Sequence, residues 1–120
     1  MDRRPRVYVV NRSAHDYTKA AKYGDLVFVT QGRQNRYTAN NHARMWADAL
    51  HGSQKEDYIL LSSLNILCSI GCALFAMKHG RLNIIMFKPK IDEDGNVIGG
   101  KYVSRELALS EVLQGVDNDE

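Results

Sequence analysis

The chain has 120 residues, of which 44% are hydrophobic and 25% are charged, a composition that fits one globular domain and excludes general disorder. Residues 1–55 carry ten Lys and Arg against four Asp and Glu, a net charge of +6, whereas residues 56–120 carry six against ten, a net charge of −4. Since there is no signal-peptide pattern and Cys68 and Cys72 lie four positions apart in an apolar segment, we expect reduced thiols and a cytoplasmic location.

The first half of the chain alternates strands with helices. Residues 6–10 and 25–30 are β-branched and aromatic runs, which predict strands buried on both faces. Between them Asp16 is expected to cap a short helix over residues 17–23, and Gly24 is expected to end it. The short connection leaves an antiparallel pairing of these two strands open as an alternative.

The next helix has the clearest amphipathic pattern. It is predicted to begin after Thr38 and to continue through Leu50. Apolar residues at positions i, i+3, i+4 and i+7 predict a buried stripe made of Ala43, Trp46, Ala47 and Leu50.

A strand–helix–strand unit is expected to form the centre of the domain. Residues 57–61 predict a third strand, residues 64–79 a helix that is apolar nearly all round and therefore extensively buried, and residues 82–87 a fourth strand. The uncharged run over residues 58–77 is long enough to span a bilayer. The polar cluster at residues 62–65 divides it into two shorter elements, so no membrane association is expected.

Pro89 is predicted to end the fourth strand, and the pattern weakens beyond it. Residues 92–96 have the chemistry of a hairpin turn, with Asp-Gly as the best signal. Two short strands, over residues 97–98 and 101–103, and a last short helix over residues 107–113 are expected to follow.

These elements predict a small three-layer α/β fold around a mostly parallel four-stranded sheet. The expected strand order is 2-1-3-4, of the Rossmann-like or flavodoxin-like kind, and the segment after Pro89 is expected to be a hairpin-like addition at one edge. Residues 1–5 are predicted to be a flexible N-terminus, residues 6–113 a single domain and residues 114–120 a frayed acidic tail.

With this strand order, a ligand site is expected beyond the carboxyl ends of the first and third strands, where the order reverses. Polar turns follow both strands, and the central helix begins there with unpaired N–H groups that favour an anion. The predicted ligand-binding residues are Asn11, Arg12, Ser13, His15, Arg36, Ser62, Ser63 and Asn65. The alternative is that the serines only cap the helix and that the first turn only satisfies its own backbone.

Other kinds of site have less support. No glycine-rich dinucleotide motif or P-loop is present, the histidines share no ligand spacing, and the two cysteines do not form a zinc knuckle, so neither a cofactor nor a metal is expected. The basic stretch around Tyr37 lacks a recognisable nucleic-acid motif, so nucleic acid is not expected as a partner. An enzyme would have to use His15 and Asp16, but adjacent residues do not orient one another as a catalytic triad requires.

Four stretches carry a resemblance to a known group of proteins: residues 7–17 (VYVVNRSAHDY), 24–32 (GDLVFVTQG), 57–65 (DYILLSSLN) and 78–83 (KHGRLN). Over residues 6–88 the chain resembles short bacteriophage-encoded proteins of unassigned activity. The resemblance implies expression in the host bacterial cytoplasm and a task such as interfering with a host protein or capturing a small host molecule. It transfers no catalytic residues.

Three functional hypotheses follow, in this order. The first is a binding protein for a small anionic, nucleotide-like ligand, a phage protein that sequesters a host signal. The second is a protein-interaction module that inhibits or redirects a host enzyme through its basic loop and Arg44. The third is a small hydrolase or transferase that uses His15 and Asp16. The apolar central helix also suggests a homo-oligomer, because one face of a small sheet is expected to leave part of this helix uncovered.

Overall fold

The fold is α/β, as predicted, and is built on a five-stranded sheet. The computed structural model describes residues 3–12, 16–35, 37–62 and 65–118. Its strands are β1 (Arg6–Arg12), β2 (Asp25–Gln31), β3 (Tyr58–Leu60), β4 (Leu82–Ile91) and β5 (Val97–Leu107). Its helices are a 3-10 helix (Thr18–Lys22), α1 (Ala39–Ala49), α2 (Asn65–His79) and α3 (Leu109–Asn118).

The sheet order is β2-β1-β3-β4-β5. The pairs β1–β2, β1–β3 and β3–β4 are parallel, and β5 pairs antiparallel to β4. The prediction of four strands is therefore wrong in number, because β5 is a full strand of 11 residues rather than two short ones. It continues through Gly99 and Gly100, since its ladder with β4 outweighs the weak strand preference of glycine.

The predicted end of the fourth strand at Pro89 is also wrong. β4 continues to Ile91, and Pro89 lies opposite Gly100 of β5. β3 pairs with β4 at Ile84 and Ile85, so the later part of β4 has β5 alone beside it among the described strands. Proline is tolerated where one side of a strand is open, because its missing N–H then removes no ladder bond on that side.

The two faces of the sheet are covered differently. On one face Tyr8 of β1 packs with Trp46 of α1 and Phe75 of α2. On the other face Val7 and Val9 pack with Tyr17 and Ala20, at the 3-10 helix. Since that helix has only five residues, the third layer of the fold is thinner than predicted. The connection from β1 to β2 lies on one face, and the connections through α1 and α2, which run toward the opposite edge of the sheet, lie on the other face. This arrangement matches right-handed crossovers.

The buried side of α1 differs from the predicted stripe. His42, Trp46 and Leu50 are buried, whereas Ala47 is exposed. The buried residues lie at positions i, i+4 and i+8, so the face of the helix that includes His42 is turned toward the sheet. A hydrophobicity pattern does not place histidine in a core, which is why this face was not predicted.

Only one side of α2 is fully buried, in contrast to the predicted extensive burial. Leu67, Gly71 and Phe75 are buried, while Met77 is 84% exposed. In the part of the chain that the structure describes, no helix is both long and apolar enough to cross a membrane.

Both cysteines of α2 are free thiols. Burial, together with the neighbouring Cys68, raises the pKa of Cys72 to about 11. At pH 8 roughly one Cys72 in a thousand is a thiolate, which is the reactive form. We therefore expect alkylation of Cys72 by iodoacetamide to be far slower in the folded protein than in urea, as followed by intact-mass and peptide mass spectrometry. Equal rates in the two conditions would contradict this.

The amino ends of the strands are held together by the carboxylate of Asp57, which is fully buried. Arg3 donates to both of its oxygens at 3.0 and 2.7 Å, and the backbone N–H groups of Arg6 and Gln54 donate at 2.9 and 2.8 Å. Burial alone would raise the pKa of Asp57, but these hydrogen bonds outweigh it and lower the pKa below its usual value of 3.8. Arg3 makes these contacts from the segment that was predicted to be flexible.

The C-terminal helix is longer than expected. α3 runs from Leu109 to Asn118, past the predicted end of the helix at residue 113 and into the predicted tail. Residues 110–115 are exposed, so this helix projects from the body of the protein.

Candidate functional site at the carboxyl edge

The strand order creates a reversal between β1 and β3, the two central neighbours of the sheet. After β1 the chain passes to β2 on one side, and after β3 it passes to β4 on the other side. The two connections therefore lead in opposite directions from neighbouring points on the carboxyl edge. This is the position at which open α/β sheets bind ligands. Of the predicted ligand residues, Asn11, Arg12, Ser62 and Asn65 belong to the described structure, and Ser13, His15, Arg36 and Ser63 lie outside it.

Asn11 uses its side chain to join two strand ends. Its Nδ2 donates to the carbonyl oxygen of Gly32 at 2.9 Å, and its Oδ1 accepts a hydrogen bond from Thr30 Oγ1 at 2.7 Å. The same Thr30 hydroxyl lies 2.8 Å from the carbonyl oxygen of Val10, so its one hydrogen is shared between the two acceptors. Both ends of the Asn11 amide are thus engaged, so its direct role is to fix the end of β1 against the end of β2.

Arg12 places a positive charge in solvent at the end of β1. It is the last residue of β1 and is exposed, and its guanidinium lies 5.0 Å from the ring centre of Phe28 on β2. Contact with an aromatic face restricts the guanidinium without neutralising its charge. Arg12 is therefore held at the edge with its positive charge available to an anion.

Ser62 and Asn65 lie at the other side of the reversal. The backbone N–H of Ser62 donates to Cys68 Sγ at 3.2 Å, and the Cys68 thiol donates back to the Ser62 carbonyl at 3.3 Å. Asn65 is exposed and is the first residue of α2. These thiol–backbone contacts hold Ser62 close to Cys68 in the first part of α2.

The loop after β2 is anchored by a residue that the sequence analysis did not select. His42 Nε2 donates to the carbonyl oxygen of Asn35 at 2.6 Å, so Nε2 carries the proton. Thr38 Oγ1 donates to the same carbonyl at 3.3 Å. The sequence feature that could have indicated this anchor is the spacing of His42 from Thr38, which is one helical turn. Beyond this anchor, Tyr37 is 92% exposed.

The electrostatics of the edge favour an anion. In parallel crossovers the connecting helix runs back against the strands, so α1 and α2 both begin at the carboxyl edge. Neither helix has an acidic residue in its first turn. Their free N–H groups therefore contribute partial positive charge without a competing carboxylate, beside the exposed Arg12 and Arg33.

The predicted catalytic pair is represented only by Asp16. Its carboxylate accepts hydrogen bonds from the N–H and the hydroxyl of Thr18, at 2.9 and 2.7 Å, and these contacts lower its pKa. Asp16 thereby closes the turn into the 3-10 helix, which is a structural task. Within the described residues, no three His, Cys, Asp or Glu side chains are grouped as a metal ion would require.

A Ser–His contact lies at the opposite edge of the sheet. Ser53 Oγ and His79 Nε2 are 2.8 Å apart, and burial lowers the pKa of His79. Lys78 Nζ, also at the end of α2, donates hydrogen bonds to the carbonyl oxygens of Leu50 and His51. The contact between Ser53 and His79 ties the end of α2 to the segment that follows α1.

A shallow cavity of about 320 Å³ lies at the same amino edge. Its polar side chains contact one another: Arg81 donates to Asn83 Oδ1 at 3.1 Å, Tyr58 donates to Glu106 at 3.2 Å, and Arg81 pairs with Glu106 at 3.7 Å. Because these charges are balanced within the cavity, it is a weaker candidate for an ionic ligand than the carboxyl edge.

Comparison with protein families identifies the chain. The model of a family described as phage Pam3 gp32-like protein matches residues 5–94, three quarters of the chain. The chain belongs to the phage Pam3 gp32-like family. The predicted resemblance to phage proteins is thereby confirmed. The part matched to the Pam3 gp32-like family contains β1 to β4, with the carboxyl edge, and ends before β5 and α3. No curated protein and no solved structure matches the chain.

Proposed function

We propose that this phage protein binds a small anionic, nucleotide-like ligand at the carboxyl edge between β1 and β3, and that it sequesters a host signal in the bacterial cytoplasm. The observation that carries the proposal is the convergence of two helix N-termini without acidic residues on an edge where Arg12 is exposed. A phosphate group takes hydrogen bonds from backbone N–H groups and from a guanidinium, which is the set of donors at this edge.

The proposal assigns different tasks to the residues of the edge. Arg12 contacts the anion directly, and the first N–H groups of α2, beginning at Asn65, share its charge. Asn11 and His42 do not contact the ligand in this proposal. Asn11 fixes the end of β1 against the end of β2, and His42 fixes the loop after β2 at Asn35. Ser13, His15, Arg36 and Ser63 remain part of the proposed ligand contacts.

Isothermal titration calorimetry of the purified protein with inorganic phosphate, AMP, ATP and GTP tests this function. We expect at least one nucleotide to bind more tightly than phosphate. Arg12→Ala should weaken that binding about tenfold or more, because a hydrogen bond to a charged group contributes about 1.5–3 kcal/mol.

Arg4→Ala is the matched control. Arg4 is also an exposed arginine, but it precedes β1 at the amino edge and pairs with Asp25. Its replacement should leave nucleotide binding unchanged. If none of the four compounds binds the wild-type protein, or if Arg4→Ala and Arg12→Ala weaken binding equally, the proposed site is wrong.

Inhibition or redirection of a host enzyme is the second candidate function. The exposure of Tyr37, together with that of Arg33 and Arg44, supports it, because tyrosine and arginine are enriched at protein interfaces. Loss of host-protein binding in Tyr37→Ala, with nucleotide binding intact, would favour this function over the first.

A further inference from the structure

The cavity at the amino edge has a binding chemistry of its own, which is independent of the carboxyl edge. Three neighbouring strands contribute Tyr58, Asn83 and Glu106 to its lining. Asn83 of β4 is paired directly with Glu106 of β5, so their side chains lie on the same face of the sheet. Tyr58 of β3 is one position before the first pairing of β3 with β4. Arg81, just before β4, also lines the cavity.

Arg81 is oriented by a buried amide. Its Nε donates to Asn83 Oδ1 at 3.1 Å. Asn83 is only 2% exposed, and its Nδ2 donates to the carbonyl oxygens of Lys55 and Asp57 at 2.6 and 2.8 Å. Because the guanidinium is planar, fixing Nε also fixes the plane that contains its two Nη groups. Such a fork of N–H donors matches the two oxygens of a carboxylate.

Glu106 is held through one of its two carboxylate oxygens. Its Oε1 accepts a hydrogen bond from the Tyr58 hydroxyl at 3.2 Å, and its Oε2 lies 3.7 Å from Arg81 Nη2. Since 3.7 Å is longer than a hydrogen bond, the two charged groups attract each other without satisfying their hydrogen-bonding capacity. The cavity therefore offers donors for a carboxylate beside an acceptor for an ammonium group.

This arrangement selects the chemical class of the ligand. A purely anionic or purely cationic ligand would be attracted by one of the two groups and repelled by the other. In an α-amino acid the carboxylate and the ammonium group are bonded to the same carbon, so they can meet both groups at once. We propose that the cavity binds a free α-amino acid, with its carboxylate on Arg81 and its ammonium group on Glu106 Oε2.

The size and the walls of the cavity agree with a single amino acid. Its volume of about 320 Å³ is at the lower end of the range of ligand pockets, which is about 300–1,000 Å³. Pro5 and the ring of Tyr58 supply apolar lining, and that ring packs against Tyr23 with ring centres 5.7 Å apart. An apolar or aromatic ligand side chain can pack there. Lys55 and Glu56 add one charge of each sign, so the lining stays balanced.

Isothermal titration calorimetry with glycine, leucine and phenylalanine tests the proposal. We expect leucine or phenylalanine to bind with millimolar or higher affinity and more tightly than glycine, because their side chains bury apolar surface. The amide and the N-acetyl derivative of the tighter ligand each lack one charge. Each should bind about tenfold more weakly or worse, because one charged hydrogen bond is lost.

The contribution of each charged group is tested by substitution. Arg81→Gln and Glu106→Gln should each weaken binding about tenfold or more. Arg81→Lys should also weaken it, because lysine keeps the charge but not the fork of donors. Arg105→Gln is the matched control, since Arg105 is exposed beside Glu106 on β5 but does not line the cavity. Arg12→Ala at the carboxyl edge should likewise leave amino-acid binding unchanged, whether or not a nucleotide binds there.

Nuclear magnetic resonance of the wild-type protein locates the site without any substitution. Titration with the amino acid should shift the side-chain amide of Asn83 and the backbone amide of Glu106. The backbone amide of Gly32, at the carboxyl edge, should not shift. Circular dichroism of each variant shows whether a loss of binding accompanies a loss of fold.

Three outcomes would overturn the proposal. The first is a wild-type protein that binds none of the three amino acids at millimolar concentrations. The second is equal binding of the free amino acid, its amide and its N-acetyl derivative, because the cavity would then not recognise a zwitterion. The third is an equal loss of binding in Arg105→Gln and Arg81→Gln, which would show a general effect of charge.

Discussion

Replacing Asp57 with asparagine should lower the free energy of unfolding by about 3 kcal/mol or more. Asp57 is fully buried, and its carboxylate accepts four hydrogen bonds, two of them from Arg3. Breaking a buried ion pair from one side costs about 3–5 kcal/mol. Since domains of this size are stable by about 5–15 kcal/mol, a large part of the stability depends on this residue. Urea denaturation followed by the fluorescence of Trp46, the single tryptophan, measures the change.

The same carboxylate predicts a pH dependence. The folded-state pKa of Asp57 is lowered relative to the unfolded chain. A lowered pKa contributes stability above the unfolded value of about 3.9, and this contribution is lost as the pH falls through the folded value. Between pH 5 and the acid limit, the wild-type protein should therefore lose more stability than Asp57→Asn does.

Asp25→Asn is the control for both measurements. Asp25 also pairs with an arginine, Arg4 at 2.8 Å, but both side chains are more than half exposed. An exposed pair contributes about 0–1 kcal/mol, so this variant should resemble the wild-type protein. Equal losses in Asp25→Asn and Asp57→Asn would show that burial of Asp57 does not determine its contribution.

Replacing Gly71 with alanine should destabilise the protein by about 1–3 kcal/mol, although alanine is the better helix former. A Cβ atom at position 71 would lie 2.3 Å from Cζ2 and 2.4 Å from Cε2 of the Trp46 ring. Trp46 is fully buried, so its ring has little room to move. The steric cost therefore exceeds the gain of up to about 1 kcal/mol in helix propensity. Urea denaturation followed by circular dichroism measures the difference.

Gly115 offers a matched comparison within the same chain. It lies in α3, where an added Cβ would meet no atom within 4 Å. Gly115→Ala should thus leave stability unchanged or raise it slightly. Trp46→Leu should cancel most of the additional cost of Gly71→Ala, since the smaller side chain removes the clash. Equal effects of Gly71→Ala in both backgrounds would exclude the Trp46 contact as the cause.

The elements up to β4 were predictable because their signals are local. Apolar runs of five or six residues predicted β1 and β2, and the spacing of Trp46 and Leu50 predicted α1. Pro89 misled the prediction because proline interrupts a strand only where its missing N–H would have faced a neighbouring strand. Whether β4 has such neighbours at that point depends on where β3 ends, and no local pattern contains this information.

The candidate site was predictable in position but not in the task of each residue. Alternation of strands and helices favours a doubly wound sheet, and the reversal between β1 and β3 belongs to the strand order that was chosen for it among the possible ones. Asn11 was predicted to contact a ligand, yet its amide is engaged by Thr30 and Gly32. Its partners lie 19 and 21 residues away, so only the packing of β2 beside β1 decides that they meet.

By itself, the sequence determined the α/β class and the number of helices that flank the central strands, and it led to the proposal that an anion binds at the carboxyl edge. These properties depend on periodicity and on strong local residue preferences. Only the tertiary structure decided that Arg3 pairs with Asp57, 54 residues away, that His42 is buried, and that β4 and β5 form one long antiparallel hairpin. Each of these depends on contacts between distant segments, whose strength is set by burial and by neighbouring strands.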